Sequence, residues 1–273
     1  MDIFSGKIAI VTGGASGIGR AISEQLASRG ASVVLADINA ELLEETSEAI
    51  NDAGGKAKTA QLDVRDFEAV KKVVDDTVEE NGRLDYIFNN AGIGVAGEAH
   101  DVSYDDWCRV IDINLYGEVN GVLAAYPVMV KQGFGHIVNT ASLAGLIPVV
   151  ALTSYTTSKY GIVGLSNALH IEGALHGVKV SVVCPGLIRT PIKENLKFVK
   201  MDREKMIESA PEGMNVDECA RIILRGVERN KAVILVTLPV KIAYLIQRLS
   251  PGLVRLMLRL SLKRTIHTMR VED

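Results

Sequence analysis

The sequence predicts a single α/β domain: a seven-stranded parallel sheet, doubly wound with helices on both faces, followed by a helical C-terminal tail. Three observations predict it. Short runs rich in β-branched residues alternate with amphipathic helical stretches from Lys7 onward, the order that builds a parallel sheet through crossover connections. The first run ends in a glycine-rich turn that opens directly into a helix. Each of the next strands ends in a glycine or a small polar residue, at the end where an open parallel sheet binds its ligands. The 273 residues, 48% hydrophobic and 23% charged, supply one substantial core, and the length does not by itself require two domains.

The first strand, Lys7 to Thr12, leads into Thr12-Gly13-Gly14-Ala15-Ser16-Gly17-Ile18-Gly19, and Arg20 to Arg29 then reads as a helix stopped by Gly30. Strand, glycine turn and helix make a phosphate cradle. The glycines let the backbone approach the ligand, and the helix N-terminus offers free N–H groups and the positive end of its dipole. Gly13, Ser16, Gly17, Ile18 and Gly19 are therefore candidate contacts for a dinucleotide. A second strand, Ser32 to Ala36, ends at Asp37. This is about twenty residues beyond the loop, where an acid accepts from a ribose 2′-hydroxyl. A carboxylate there also repels a 2′-phosphate, and Ile38 and Asn39 follow with no arginine to receive one, so the expected cofactor is NAD rather than NADP.

Alternation continues with a helix at Glu41 to Ala53 and a strand at Lys56 to Leu62 ending at Asp63-Val64. Next come a helix at Phe67 to Glu80 and a strand at Leu84 to Phe88 ending at Asn89-Asn90-Ala91-Gly92. A long helix spans about Tyr104 to Lys131 and another spans 153–176. A sixth strand at Lys179 to Val183, a helix at Val216 to Arg229 and a seventh strand at Ala232 to Thr237 close the sheet.

The chemistry lies in Ser154-Tyr155-Thr156-Thr157-Ser158-Lys159, with Ser142 thirteen residues before the tyrosine. In a helix Tyr155 and Lys159, at i and i+4, share a face. A tyrosine hydroxyl ordinarily holds its proton until about pH 10, and a neighbouring cation favours the phenolate. A hydroxyl such as that of Ser142 can hold the oxygen that gains or loses the proton. Together they form a general acid–base site for interconverting an alcohol and a carbonyl. An isolated Tyr-x-x-x-Lys is more often a half-buried ring beside a solvated amine; the nucleotide site upstream is what gives this one its meaning.

These residues, in order and on these elements, resemble the short-chain dehydrogenase/reductase family. The resemblance rests on Thr12-Gly13-x-x-x-Gly17-x-Gly19, Asp63, Asn89-Asn90-Ala91-Gly92, Asn114, Ser142, Tyr155, Lys159 and Pro185-Gly186, and covers about Lys7 to about Thr237. It implies a Rossmann-type fold with roles position by position. Asp63 and Val64 would contact the adenine and Asn90 the ribose side of the cleft, with Ala91 and Gly92 among the cofactor contacts. Ser142 would hold the substrate oxygen and Tyr155 would be the acid or base. Lys159 would hold the nicotinamide ribose and favour the tyrosinate, while Asn114 would position a water linking Lys159 to solvent. Pro185, Gly186, Leu187 and Ile188 would flank the nicotinamide, with Thr190 near its carboxamide. The family commonly assembles as dimers or tetramers through the helices at 104–131 and 153–176.

Between 190 and 214 the pattern suggests a lid, with Pro191 to Ile207 reading as a charged amphipathic helix bounded by Pro211 and Gly213. Ile93, Val95, Leu143, Leu146, Ile147, Val149, Leu187 and Ile192 supply an apolar substrate wall without lysine or arginine. Of these, Ile93, Leu143, Leu187 and Ile192 join Ser142 and Tyr155 as candidate substrate contacts. The expected substrate is a mainly apolar secondary alcohol or ketone of the steroid, terpenoid, fatty or aromatic kind.

In the tail, 239–273, Lys241, Arg248, Arg255, Arg259, Lys263, Arg264 and Arg270 stand against Glu272 and Asp273, a net charge of +5. Ile242, Leu245, Ile246 and Leu249 form one helical face. Ser250-Pro251-Gly252 is expected to break the helix before a second one from Leu253. The segment is too interrupted to span a membrane. Its basic amphipathic helices suit a membrane interface, or packing on the body or a second subunit.

A net charge of −3 gives no global field for nucleic acid. Cys108, Cys184 and Cys219 are odd in number and widely spaced, which favours a reducing compartment over disulfides or zinc, and the five histidines lack metal-ligand spacing. Met1-Asp2-Ile3-Phe4 lacks a basic leader, so a cytoplasmic setting is expected. An NAD-dependent oxidoreductase is the favoured function. A 3-oxoacyl thioester reductase is disfavoured by Asp37, because such reductases resemble NADPH users. A non-catalytic, membrane-docked NAD-binding protein is disfavoured because Ser142, Tyr155 and Lys159 are all present.

Overall fold

A computed structural model describes residues 2–193 and 196–271, with backbone only over 193 and 261–268. Met1, Glu194, Glu272 and Asp273, and the side chains of Lys263 and Arg264, lie outside the described set. The elements run β1 (Ile8–Thr12), α1 (Gly17–Ser28), β2 (Ser32–Asp37), α2 (Ala40–Asp52), β3 (Lys56–Gln61), α3 (Phe67–Asn81), β4 (Tyr86–Asn89) and β5 (Val95–Ala96). They continue with α4 (Tyr104–Ile111), a π-helical turn (Asp112–Tyr116), α5 (Gly117–Gln132), β6 (Gly135–Thr140), a 3₁₀ turn (Leu143–Gly145), α6 (Thr153–Ala174) and β7 (Val178–Cys184). A second 3₁₀ turn (Pro191–Lys193), β8 (Lys197–Phe198), α7 (Arg203–Ser209), α8 (Val216–Glu228), β9 (Val233–Leu235), α9 (Leu238–Leu249) and α10 (Pro251–Met269) complete the chain.

Seven strands form one parallel sheet in the order β3-β2-β1-β4-β6-β7-β9, as the alternation predicts. β1 is the pivot, pairing with β2 on one side and β4 on the other; Ala9 faces Val33 and Tyr86. The winding reverses there, so the carboxyl ends of β1 and β4 border the ligand crevice of this architecture. Strands covered on both faces read as continuous apolar runs, and Ala9, Ile10 and Val11 are all buried. One core layer joins Ile22, Leu26, Leu43, Ile50, Ile223 and Leu224 from α1, α2 and α8. The opposite layer joins Val70, Val74, Val122, Ala125 and Met129 from α3 and α5. Each fully buried leucine or isoleucine contributes about 1.5–3 kcal/mol of transfer free energy. The outer strand β3 differs: Lys56 and Lys58 are exposed, as befits an edge.

Four elements depart from the sequence expectation. The helix expected over Tyr104–Lys131 is α4 and α5 joined by the π-helical turn at Asp112–Tyr116. That turn carries Asn114, whose amide clasps the Ile93 backbone in both directions (2.8 Å and 3.0 Å). A single wide turn leaves no mark on apolar periodicity, yet commonly marks a functional site.

The helix expected over Pro191–Ile207 is only α7, because the backbone before it is extended onto the loop after β4. Lys197 donates to Gly94 O and Val199 to Ala96 O, forming the β5–β8 pair. β9 stops at Leu235, short of the expected strand end at Thr237, and the tail helix α9 begins at Leu238, one residue before the expected 239. Only Ser250 separates α9 from α10. Pro251 and Gly252, expected in the break, lie inside the helix, since proline at the first helical position lacks an N–H that would go unpaired anyway.

The end of α10 returns to the lid segment. Asp202 N donates to Met269 O, Val271 N donates to Lys200 O, and Met201 bridges Arg270. The Arg270 guanidinium pairs with Glu98 and lies 3.2 Å from Asp101 and 3.5 Å from His100. Glu98, His100 and Asp101 thus gather around a cation of the chain itself. Among the described residues no helix is long and apolar enough to cross a membrane.

Candidate active site

The glycine loop between β1 and α1 is built for close approach. Gly13 has φ +63°, a conformation that favours glycine, and a Cβ there would lie 2.9 Å from Ala91 Cα. A Cβ on Gly19 would lie 2.0 Å from Gly13 O. Ser16 caps α1 without a side-chain hydrogen bond to it, so the first-turn N–H groups face the crevice unclaimed by their cap, the arrangement that receives a phosphate. Asp37, at the end of β2, accepts from Asn39 N at 3.1 Å and from Ala15 N at 3.4 Å, which brings its carboxylate beside the loop. Thr190 lies against Gly17 from the far side, 3.4 Å from where a Cβ would be.

Two of the expected cofactor contacts are engaged by the protein itself. The Asn90 amide donates to Thr12 O and Gly13 O, and Asn90 N to Thr12 Oγ1, so this residue braces the loop. The Asp63 carboxylate takes a forked hydrogen bond from Arg65 (2.5–3.1 Å), and that guanidinium holds it below the usual carboxylate range. Val64 is buried beneath Gly117, and its carbonyl accepts from Asn120 at 2.8 Å. Ala91 and Gly92 follow Asn90 past the end of β4, and Gly92 lies between Asn114 and Lys159.

The candidate reactive side chains collect where β6 ends. Lys159, 3% exposed on α6, donates from Nζ to Thr140 O at 2.6 Å. The same ammonium is 5.7 Å from the centre of the Tyr155 ring, one turn earlier on the helix. Ser142 stands two residues past β6, its Oγ accepting from Ala144 N at 3.2 Å. The 3₁₀ turn it opens packs on α6, since a Cβ on Gly145 would meet Lys159 O at 2.6 Å. Asn114 is fully buried and also donates to Ser158 Oγ at 3.2 Å, tying the π-helical turn to α6. Leu143 N donates to Pro185 O, joining this turn to the end of β7. Beyond it Gly186 packs against Thr237, and Leu187 and Arg189 exchange backbone hydrogen bonds with Met214, fixing Ile188 between them.

Of the apolar wall, Ile93 lines the loop clasped by Asn114, Leu143 is partly buried against the nearby core, and Leu187 and Ile192 are exposed. Val95 and Leu146, expected in that wall, are buried instead, one in the β5–β8 pair and the other in the core with Ile162. Sequence reasoning passed over two residues. Leu196, from the lid segment, sits on Gly94, a glycine whose own added Cβ would reach Tyr155; no motif marks a lone leucine in a loop. Glu118, buried one turn after Asn114, lies 3.6 Å from Lys159 Nζ; its signal was an acid on the inward side of an otherwise apolar helix.

A parallel sheet that turns a phosphate cradle and a tyrosine–lysine pair toward the same edge is equipped for oxidoreductase chemistry. The chain belongs to the short-chain dehydrogenase family, whose model, described as short chain dehydrogenase, matches residues 7–199. It is 35% identical over 223 residues to the cyclohexanol dehydrogenase of Acinetobacter sp. strain SE19, covering 81% of this chain and 87% of that one. It is also 35% identical over 221 residues to the 3-oxoacyl-[acyl-carrier-protein] reductase of Thermotoga maritima, covering 80% and 89%. A short-chain dehydrogenase/reductase from Burkholderia phymatum, solved in complex with NAD, superposes with a TM-score of 0.84 at 28% identity, covering 93% and 96%. The protein is therefore an oxidoreductase of a family that works with nicotinamide cofactors, and the glycine cradle described above fits such a dinucleotide.

Proposed function

We propose that the protein is an NAD-dependent dehydrogenase that interconverts a mainly apolar secondary alcohol and its ketone. The observation that carries this reading is the buried Lys159 ammonium, anchored on Thr140 O beside the Tyr155 ring, next to a loop bearing Ile93 and Gly94, on which Leu196 sits. Tyr155 accepts the proton of the substrate hydroxyl in oxidation and returns it in reduction. Lys159 supplies the positive charge that favours the tyrosinate and holds the cofactor ribose. Ser142 holds the substrate oxygen, and Asn114 fixes the turn facing Lys159. Gly13, Ser16, Gly17, Ile18 and Gly19 would hold the pyrophosphate, Asp63 and Val64 the adenine, and Ala91, Gly92, Pro185, Gly186, Ile188 and Thr190 the remainder of the dinucleotide. Bound NAD supplies the hydride acceptor.

Asp37 supports NAD over NADP, because its carboxylate beside the loop repels a 2′-phosphate. The NAD complex of the Burkholderia relative and the name of the Acinetobacter relative agree with this reading. The Thermotoga relative supports the second one, reduction of a 3-oxoacyl thioester.

The test titrates the protein with NAD and NADP, then offers steroid, terpenoid, fatty and aromatic secondary alcohols, beside 3-oxoacyl thioesters with NADPH. NAD-selective turnover of apolar alcohols, reduced about 10²- to 10⁴-fold in Tyr155→Phe, is expected. Turnover confined to thioesters with NADPH would replace this reading with the second. Binding of neither nucleotide would overturn both.

The tail adds a proposal of location. Leu238, Ile242, Leu245 and Leu249 on α9 and Leu253, Leu256, Met257 and Leu260 on α10 are exposed. With Lys241, Arg248, Arg255 and Arg259 among them, they suit the interface of an anionic membrane, where an apolar substrate would partition. Exposed Leu123 on α5, Ile171 on α6 and Leu175 just past its end likewise suit pairing with a second copy.

A further inference from the structure

Glu118 plays no part in the chemistry just described. It follows Asn114 by four residues, so the two side chains lie one above the other on the inward side of consecutive turns. The residue is 2% exposed, and among the described residues neither carboxyl oxygen has a hydrogen-bond partner within 3.5 Å. Oε1 is 3.6 Å from Lys159 Nζ, while that ammonium spends its short hydrogen bond on Thr140 O at 2.6 Å. An ionised carboxylate enclosed in this way is unfavourable unless a charge or a donor compensates it. Burial pushes Glu118 up to about 8, even against the pull of Lys159. The group therefore changes charge inside the range where enzymes work.

Its surroundings leave Lys159 as the partner that can respond. From β7, Cys184 faces the pair, but burial pushes its thiol up to about 12, so it stays neutral. From β6 the neighbour is the Thr140 backbone, and from the π-helical turn before α5 it is the uncharged amide of Asn114. The acids of the neighbouring surface, Asp112 and Asp63, lie on the solvent side, Asp63 already held by Arg65.

We propose that Glu118 is a positioning residue that acts through Lys159: ionised, it offsets the ammonium charge beside Tyr155, and protonated, it leaves that charge whole. An ammonium favours the tyrosinate, and a carboxylate behind it weakens that preference. Glu118 thus moderates the acid–base pair as pH rises, without touching substrate or cofactor. The proposal rests on the dehydrogenase reading only for its kinetic consequence; the coupling of Glu118 to Lys159 stands apart from it.

The experiment has two arms. In the first, infrared spectra of cofactor-free protein are recorded against pH for wild type, Glu118→Gln and Lys159→Met. A carboxylic-acid carbonyl band present at neutral pH, lost in Glu118→Gln and titrating at a midpoint raised by about one unit or more in Lys159→Met, is expected. A missing band, or a midpoint that Lys159→Met leaves in place, overturns the proposal. In the second arm, the pH profile of kcat for alcohol oxidation carries an ionisation near pH 8 in wild type that Glu118→Gln removes, with KM changed less than about twofold. Coincident profiles overturn the kinetic consequence, and with it the role through Tyr155. If no alcohol is turned over, the dehydrogenase reading fails while the infrared arm still decides the coupling.

Discussion

His136 on β6 is 3% exposed, with Nε2 2.8 Å from Ser181 Oγ. Burial, aided by Lys179 and His170, pushes its pKa down to about 3. An unfolded histidine takes its proton near pH 6.5, so below that pH the unfolded chain binds a proton that the native state refuses. The stability this residue contributes is full above about pH 6.5 and is lost as pH falls toward 3, an interval worth on the order of several kcal/mol. Thermal melts followed by circular dichroism should therefore lose Tm steeply between about pH 6 and 4, and His136→Gln should flatten that slope; equal slopes would remove the assignment. At this scale the sequence was readable where spacing within one element fixes which side chains meet. Tyr155 and Lys159 stand at i and i+4, and Asp37 ends a strand after a glycine loop. Glu118 and Leu196 draw their place in the site from what lies across from them, on α6 and on Gly94, and spacing carries no information about a neighbour that the fold supplies.

Among the elements, strands and amphipathic helices were legible because their periods differ and their ends carry glycine or a capping side chain, as Asn39 caps α2 and Asp66 caps α3. The lid was not. Its charged residues suggest a helix, but the backbone between Leu196 and Val199 is bound to the loop after β4, a long-range partner that overrides local propensity. That segment is clipped by Arg270, just past α10, whose guanidinium serves Glu98 and Asp101 at once. Arg270→Ala should lower stability by only about 1–2 kcal/mol, since the site is partly solvated. It should, however, speed amide exchange at Asp202 and Val271, the two N–H groups that hold the clip closed. Unchanged exchange at both positions would show that the backbone ladder suffices without the guanidinium.

For the whole molecule, the seven-stranded sheet and its pivot at β1 position the crevice, while the tail presents apolar stripes and positive charge to the outside. If that face meets anionic lipid, the full chain should co-sediment with vesicles of phosphatidylserine and phosphatidylcholine. Binding should weaken as ionic strength rises and fall at least several-fold in Leu245→Glu with Leu256→Glu; a chain that stays in the supernatant at low salt would exclude the membrane role. The outer strand β3 has a different consequence, for solubility at high concentration. A bare strand edge is a template on which a second chain can extend the sheet. Lys56 and Lys58 on β3 are exposed at alternate positions, Lys58 paired with Glu80, so an incoming strand would lie against charged side chains. At the opposite border β9 offers only three residues. The native sheet is thereby barred from growing into a fibre, and the hazard passes to β1 and β4, whose unguarded apolar runs become adhesive only once the fold has opened.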